Sequence, residues 1–229
     1  MARSGFAPSL RTLAALAVAA VSLLSLAGHL LAEDPVYTSE FHRELCTFTA
    51  SGSNPYFPLW TGHGVVLEGE EEDEGEILEV LLEITVLDET ELVDGVVTRI
   101  VEERESLDGE LYEVSRNFFA TCRETGDVWY FGEDVDFYED GQIVDHHGSW
   151  RAGIDGAQPG IQMPSVPLIG ARYFQELAPA EALDFAEIVS VTEALTVPAG
   201  SFTNVLRVLE GSAIETTSGK TSPTMSRSQ

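Results

Sequence analysis

Apolar and polar residues alternate with a period of two over most of this chain, and that period predicts strands. From Glu76 to Asp88, Leu78, Val80, Leu82, Ile84 and Val86 alternate with Glu79, Glu83 and Thr85. Leu81 is the exception, so one face is buried and the other mostly wet. Between Asp127 and Trp150, counting by twos sets Trp129, Phe131, Glu133, Val135 and Phe137 on one side of a strand. Val128, Tyr130, Gly132, Asp134, Asp136 and Tyr138 take the other, and the first side is the oilier. Asp140-Gly141 then turns the chain back through Gln142–Trp150, because glycine tolerates the positive φ of a tight hairpin loop. Asp94-Gly95, Asp108-Gly109 and Gly126-Asp127 punctuate the chain in the same manner, leaving Val96–Ser106, Glu110–Cys122 and Val128–Glu139 at strand length. In Glu110–Cys122, the residues Tyr112, Val114, Phe118, Ala120 and Cys122 share a face into which only Arg116 intrudes.

The flanking text is less regular. Asp34–Pro55 carries Phe41, Leu45 and Phe48 at helical spacing over a short span, which fits a two-turn helix or an N-terminal strand. Pro55 and Pro58 break regular structure before a first strand at Trp60–Gly69, and the acidic run Glu70–Gly75 reads as an exposed loop. Arg151–Gly170, rich in Gly and Pro, predicts a long ordered loop or flap. Arg172–Glu176 and Ala186–Val197 are weaker strands, Glu176–Asp184 accommodates a helical turn, and Phe202–Leu209 closes the series. Together these predict an all-β fold: a single antiparallel up-and-down meander curved into a sheet or half-open barrel, with one short helix at most. A parallel α/β arrangement lacks its crossover helices.

Composition changes the picture at the two ends. Met1–Ala32 has Arg3 and Arg11 followed by the apolar run Leu13–Ala27, whose 15 residues fall short of the roughly 20 of a spanning helix. That is the pattern of a secretory signal peptide, with cleavage after Ala27 or Ala32, and it places the mature chain outside the cytoplasm, secreted or periplasmic, with no transmembrane segment. Residues 33–55 then form an N-terminal segment, 56–210 the β domain, and 211–229 a polar tail expected to be disordered.

The whole chain has 12 Lys+Arg against 39 Asp+Glu; removing the leader leaves ten cationic residues and a net charge of -29. Lys220 is the single lysine. Such a surface repels phosphate backbones and anionic headgroups, which excludes nucleic acid as a partner. Solubility, high salt or divalent-cation binding would each account for the acids.

Several groups of residues suggest chemistry. Asp145-His146-His147 lies across the hairpin from Asp134 and Asp136, and simple register about Asp140-Gly141 brings Asp145 near Asp136 and His147 near Asp134. Asp134, Asp136, Asp145 and His147 are therefore the candidate ligands for a divalent cation, the one cofactor the sequence suggests. Adjacent strand residues point to opposite faces, so His146 and His147 reach one ion only with a bulge. Asp136–His147 also mimics a calcium loop, but Tyr138 and His147 stand where ligating oxygens belong.

Glu133 is the one acid on the otherwise apolar Trp129 face; burial there would raise its pKa enough for acid catalysis, and a sheet-edge carboxylate or one paired with an Arg such as Arg116 is the plainer alternative. Trp60, Trp129, Phe131, Trp150 and Tyr173 form a candidate ligand-binding set for an apolar or sugar ligand, core packing being the alternative. No nucleophile elbow, phosphate loop or zinc-protease motif occurs, and no catalytic residue is named. Cys46 and Cys122 are an even pair in an exported chain and are expected to bridge, with two buried thiols as the alternative.

Asn54-Pro55-Tyr56-Phe57-Pro58-Leu59, Val128-Trp129-Tyr130-Phe131-Gly132-Glu133-Asp134, Gly148-Ser149-Trp150, Ala152-Gly153-Ile154-Asp155-Gly156-Ala157, Pro159-Gly160-Ile161 with Met163-Pro164, and Val197-Pro198-Ala199-Gly200-Ser201-Phe202 resemble a group of uncharacterised exported bacterial proteins, many of them lipoproteins. The resemblance spans about Asn54–Glu210. It implies an exported all-β fold and transfers no catalytic residue. More loosely it is similar to the open half-barrels of lipoprotein-carrier type, which hold acyl chains on a concave apolar face. Two features depart from it. His29 stands where a lipid-attachment Cys would, so no lipid anchor is expected. After Glu210 the text turns polar where that group continues with further strands, as a truncated C-terminus would.

The function expected is a non-catalytic exported binding or envelope module holding a lipid-like or other apolar small molecule. A cell-surface interaction domain without small ligand is the first alternative, and a metal-dependent secreted enzyme the second.

Overall fold

The computed structural model describes residues 35–73, 75–179 and 181–213. All but Pro35 and Val36 belong to the compact unit that begins at Tyr37. The leader and the text from residue 214 on lie outside the described residues.

A three-residue 3-10 turn, Arg43–Leu45, precedes β1 (Phe48–Thr49). The long meander follows as β2 (Gly64–Asp73), β3 (Glu76–Val93), β4 (Val96–Leu107), β5 (Glu110–Cys122) and β6 (Val128–Glu139). Shorter pieces come next: β7 (Gln142–Asp145), β8 (Trp150–Arg151), β9 (Gln158–Met163), β10 (Arg172–Phe174) and β11 (Glu176–Leu177). The hairpin β12 (Asp184–Val197) and β13 (Gly200–Ser212) closes the fold.

The fold is all-β, its antiparallel sheet curled into a half-barrel. One sheet runs β11-β9-β6-β5-β4-β3-β2, with β1 beside β5 and β7 and β8 beside β6; the second is β10-β12-β13. The Asp-Gly turns fall where the sequence puts them. Asp94-Gly95, Asp108-Gly109 and Asp140-Gly141 all have positive φ at both residues, the backbone of a type I′ loop whose twist matches the strands it joins.

Four local expectations need correcting. The acidic run is strand, not loop: Glu70, Glu71, Glu72 and Asp73 pair with Glu79, Leu78, Ile77 and Glu76, and the first strand starts at Gly64 rather than Trp60. Backbone pairing with the strongly apolar β3 outweighs the low strand preference of glutamate. The N-terminal segment is neither a two-turn helix nor a full strand, and it is part of the β unit, since Phe48 and Thr49 pair with Cys122 and Thr121. The flap contributes β8 and β9 to the main sheet beside β6. At the far end β13 reaches Ser212, so the polar segment starts as strand.

The correction with most consequence lies in β6. Asn117 pairs with Glu133 but Phe119 pairs with Tyr130, so β6 carries one residue more than β5 between these pairs. This bulge, at Phe131-Gly132, turns Glu133 onto the Tyr130 face and away from Trp129. Gly132 permits it: its φ is 133°, and a Cβ there would lie 2.2 Å from the Trp150 carbonyl oxygen. Val128–Gly132 is buried on both faces, where the alternation set the Trp129 side as only the oilier of the two.

Cys46 and Cys122 are disulfide-bonded, closing 76 residues of separation. On the unfolded-chain argument this contributes about 4 kcal/mol. One continuous core joins Leu59, Val101, Phe118, Phe131 and Trp150 of the main sheet and its strap to Ala186, Ile188 and Leu206 of the second sheet.

Candidate functional site

The two faces of β6 are built differently. On the Trp129 face the N-terminal segment lies across the strand as a strap. Phe41 and Phe48 set their ring edges on Trp129 at 5.7 and 5.3 Å, and Phe48 meets Phe131 at 5.2 Å. The Arg43 guanidinium sits over the Phe131 ring and pairs with Asp94 at the β3–β4 turn. The strap's backbone joins the main sheet through the two residues of β1 and a hydrogen bond from Arg123 N–H to the Thr47 carbonyl, and Thr38 bridges to Tyr173 of β10. Between Ser39–Glu44 of the strap and Trp129, Ala157, Gln158 and Pro159 there remains an open cavity of about 310 Å³. The Trp129 indole N–H is buried and has no acceptor.

The five aromatic residues of the expected ligand set do not converge. Trp129 and Phe131 lie together under the strap. Trp150 packs on Tyr130 at 5.4 Å on the opposite face. Tyr173 is in β10 of the second sheet, and Trp60 is 57% exposed beside His63. Most of the set is core, as the packing alternative had it, and only Trp129 borders the cavity.

Nor do Asp134, Asp136, Asp145 and His147 gather round a point. Phe137 pairs with Asp145 and Tyr138 with Ile143, so an extra residue, Val144, shifts the register and puts Asp145 opposite Phe137 rather than Asp136. β7 ends at Asp145, which frees His147 to stack on Phe137 at 4.2 Å and to meet Asp145 at 3.0 Å. Asp136 takes His146 at 2.7 Å, and Asp134 takes Arg151 at 2.6 Å. Each member of the quartet has its own partner. The single cluster of metal-ligand type among the described residues is Cys46, Cys122 and Glu124, whose sulfurs are already spent on the disulfide.

The Tyr130 face carries the unusual electrostatics. Glu133 pairs across the strands with Asn117 and with Trp150, and Arg116, its expected partner, pairs with Glu89 at 2.5 Å instead. Burial pushes the Glu133 carboxyl up to about 8, the neighbouring Tyr130 hydroxyl opposing the rise and the charges of Glu113, Glu103 and Asp184 adding to it. Glu176 of β11 is 7% exposed, and its Oε2 is buried without a hydrogen bond. Burial raises it well above the ordinary carboxylate range, Glu133 and Asp184 add to that, and Trp150 opposes. Asp184 of β12 is raised too, first by burial, against a hydrogen bond from Ser212 and with Glu210 adding. None of the ion pairs among the described residues includes Glu133, Glu176 or Asp184.

A directed hydrogen-bond chain runs from this group into β5. Tyr130 donates its hydroxyl proton to Asn117 Oδ1. Asn117 Nδ2 donates to Ser115 Oγ at 3.0 Å and to the Val101 carbonyl at 3.4 Å. A carbonyl only accepts, which fixes the orientation of the Asn117 amide. Glu133 was singled out in the sequence, but on the wrong face and with the wrong partner. Glu176, Tyr130 and Asn117 carry no signal there, since their roles arise from strands distant in the chain.

Comparison with protein-family models, with curated proteins and with solved structures found no match.

Proposed function

We propose that this chain is an exported, non-catalytic binding module that holds a lipid-like or other apolar ligand against Trp129, beneath the Ser39–Glu44 strap. The observation that carries this reading is the open cavity between strap and sheet, about 310 Å³, with Trp129 in its wall. Its volume is at the small end of ligand sites, which begin at roughly 300 Å³. Glu40, Glu44 and Asp94 in the lining disfavour an anionic head, so the ligand is an apolar body with a neutral head, such as an ester or amide.

Native mass spectrometry of the full chain with a monoacylglycerol and with the matching free fatty acid tests this. Binding of the ester in preference to the acid, weakened in Trp129→Phe by loss of part of the indole wall, is the expected result. No binding of either probe, or an unchanged Trp129→Phe, contradicts it.

The alternative reading, an interaction domain without small ligand, is favoured by a different observation. β2 lies at the end of the main sheet and exposes Val65, Val66 and Leu67 in succession, Val66 at 60%. An apolar edge strand is a template for strand addition. Its Glu68 and Glu70–Glu72 would select an extended partner carrying Lys or Arg.

A further inference from the structure

The Tyr130 hydroxyl has one proton, and it is committed to Asn117 Oδ1. Toward Glu133 the same oxygen can only accept. An ionised Glu133 beside that oxygen would face a lone pair or would draw the proton away from Asn117, whereas a protonated Glu133 does neither. Beside it, Glu176 Oε2 is buried without any donor, a position that a neutral carboxyl tolerates far better than a charged one. These groups come from both sheets. Glu133 and Glu176 belong to β6 and β11 of the main sheet, Asp184 to β12 of the second, and the backbone N–H of Gln175 reaches across to the Asp184 carbonyl at 2.7 Å. Gln175 also donates through Nε2 to Glu210 of β13 at 2.9 Å.

We infer that Glu133 and Glu176 form a proton-holding joint between the two sheets: protonated, they leave the Tyr130–Asn117 hydrogen bond undisturbed and the seam shut, and on losing the proton they loosen β11 and β12 from β6. The inference does not depend on the ligand reading above. The groups facing the joint are Tyr130 on β6, Glu103 on β4, Glu113 on β5, Asp184 on β12 and Glu210 on β13. The ionisable ones are carboxyls apart from the tyrosine, so a charge formed at the joint meets repulsion from every side.

The sign of the pH effect follows from which state keeps the proton. Below about 4.5, the ordinary value, the carboxyls are protonated whether the joint is open or shut, and its contribution is complete. As pH rises the open form releases protons that the shut form keeps, so opening becomes easier until about 8, where the contribution has been lost. Each proton released in that window changes the opening equilibrium by about tenfold per pH unit. The two carboxyls titrate as a pair rather than as separate sites.

Amide hydrogen exchange of the full chain, followed at Leu177, Ala178 and Ala186 and corrected for the intrinsic pH dependence, reads this opening. The wild-type equilibrium is expected to rise about tenfold or more per pH unit through the window, and in Glu133→Gln/Glu176→Gln, which keeps neutral donors in place, to rise much less, Asp184 alone still releasing a proton. A flat wild-type profile overturns the joint, and so does an equal slope in the double variant. Should that variant fail to fold, the infrared spectrum of the wild type decides. A protonated-carboxyl band present at neutral pH and lost as these amides open supports the joint, and absence of that band overturns it.

Discussion

The two faces of β6 sit on one short strand and are held by opposite kinds of interaction. Under the strap, Trp129 and Phe131 meet Phe41 and Phe48 edge to face, and the disulfide and the Arg43–Asp94 pair fasten the cover. One bulge further along, Tyr130, Glu133 and Trp150 face acids from four other strands with no Arg or Lys paired to Glu133, Glu176 or Asp184 among the described residues. The first face is stabilised by apolar contact and a covalent tie, which pH does not touch. The second depends on where protons sit. A single extra residue, tolerated because position 132 is glycine, assigns Glu133 to one environment instead of the other.

That contrast yields graded tests. Removing the tie has the largest expected effect: Cys46→Ser/Cys122→Ser loses about 4 kcal/mol in chemical denaturation and raises the exposure of the Trp129 face, read as enhanced quenching of tryptophan fluorescence. An unchanged unfolding midpoint would mean the strap is held without it. Gly132→Ala comes next, since its Cβ would meet the Trp150 carbonyl at 2.2 Å in a left-handed backbone; about 3 kcal/mol is expected, and a neutral outcome would remove the bulge from the account.

Phe48→Ala, half-buried between Trp129 and Phe131, should cost about 2 kcal/mol with no change in pH dependence, which confines its effect to the strap face. Arg116→Ala, whose pair with Glu89 is exposed, should cost under about 1 kcal/mol, and less in high salt. A larger loss from Arg116→Ala would reinstate it as a partner of the buried acids.

Alternation and Asp-Gly turns made the meander legible. Leu78 to Val86 and three two-residue hairpin loops specify strand direction and turn geometry from adjacent residues alone. The disulfide was also legible, since two cysteines leave one possible pairing. Bulges were not, because inserting one residue leaves the local alternation of Trp129 to Phe137 intact on paper while exchanging the faces on either side of Gly132. The displaced register at Val144 likewise dispersed the expected metal ligands. The acidic run escaped because a strand's fate there is decided by its partner, β3, rather than by its own glutamates. Glu176 escaped for the same reason: it lies in β11, and only the sheet order brings it to Glu133.

The face on which Glu133 lies can be measured directly. Nuclear Overhauser contacts from the Glu133 side-chain methylene protons, in isotopically labelled full chain, should reach the rings of Tyr130 and Trp150 while the Trp129 indole protons reach Phe41 and Phe48. Contacts from Glu133 to the Trp129 or Phe48 rings would place it under the strap, and with that both the bulge and the proton-dependent seam would fall.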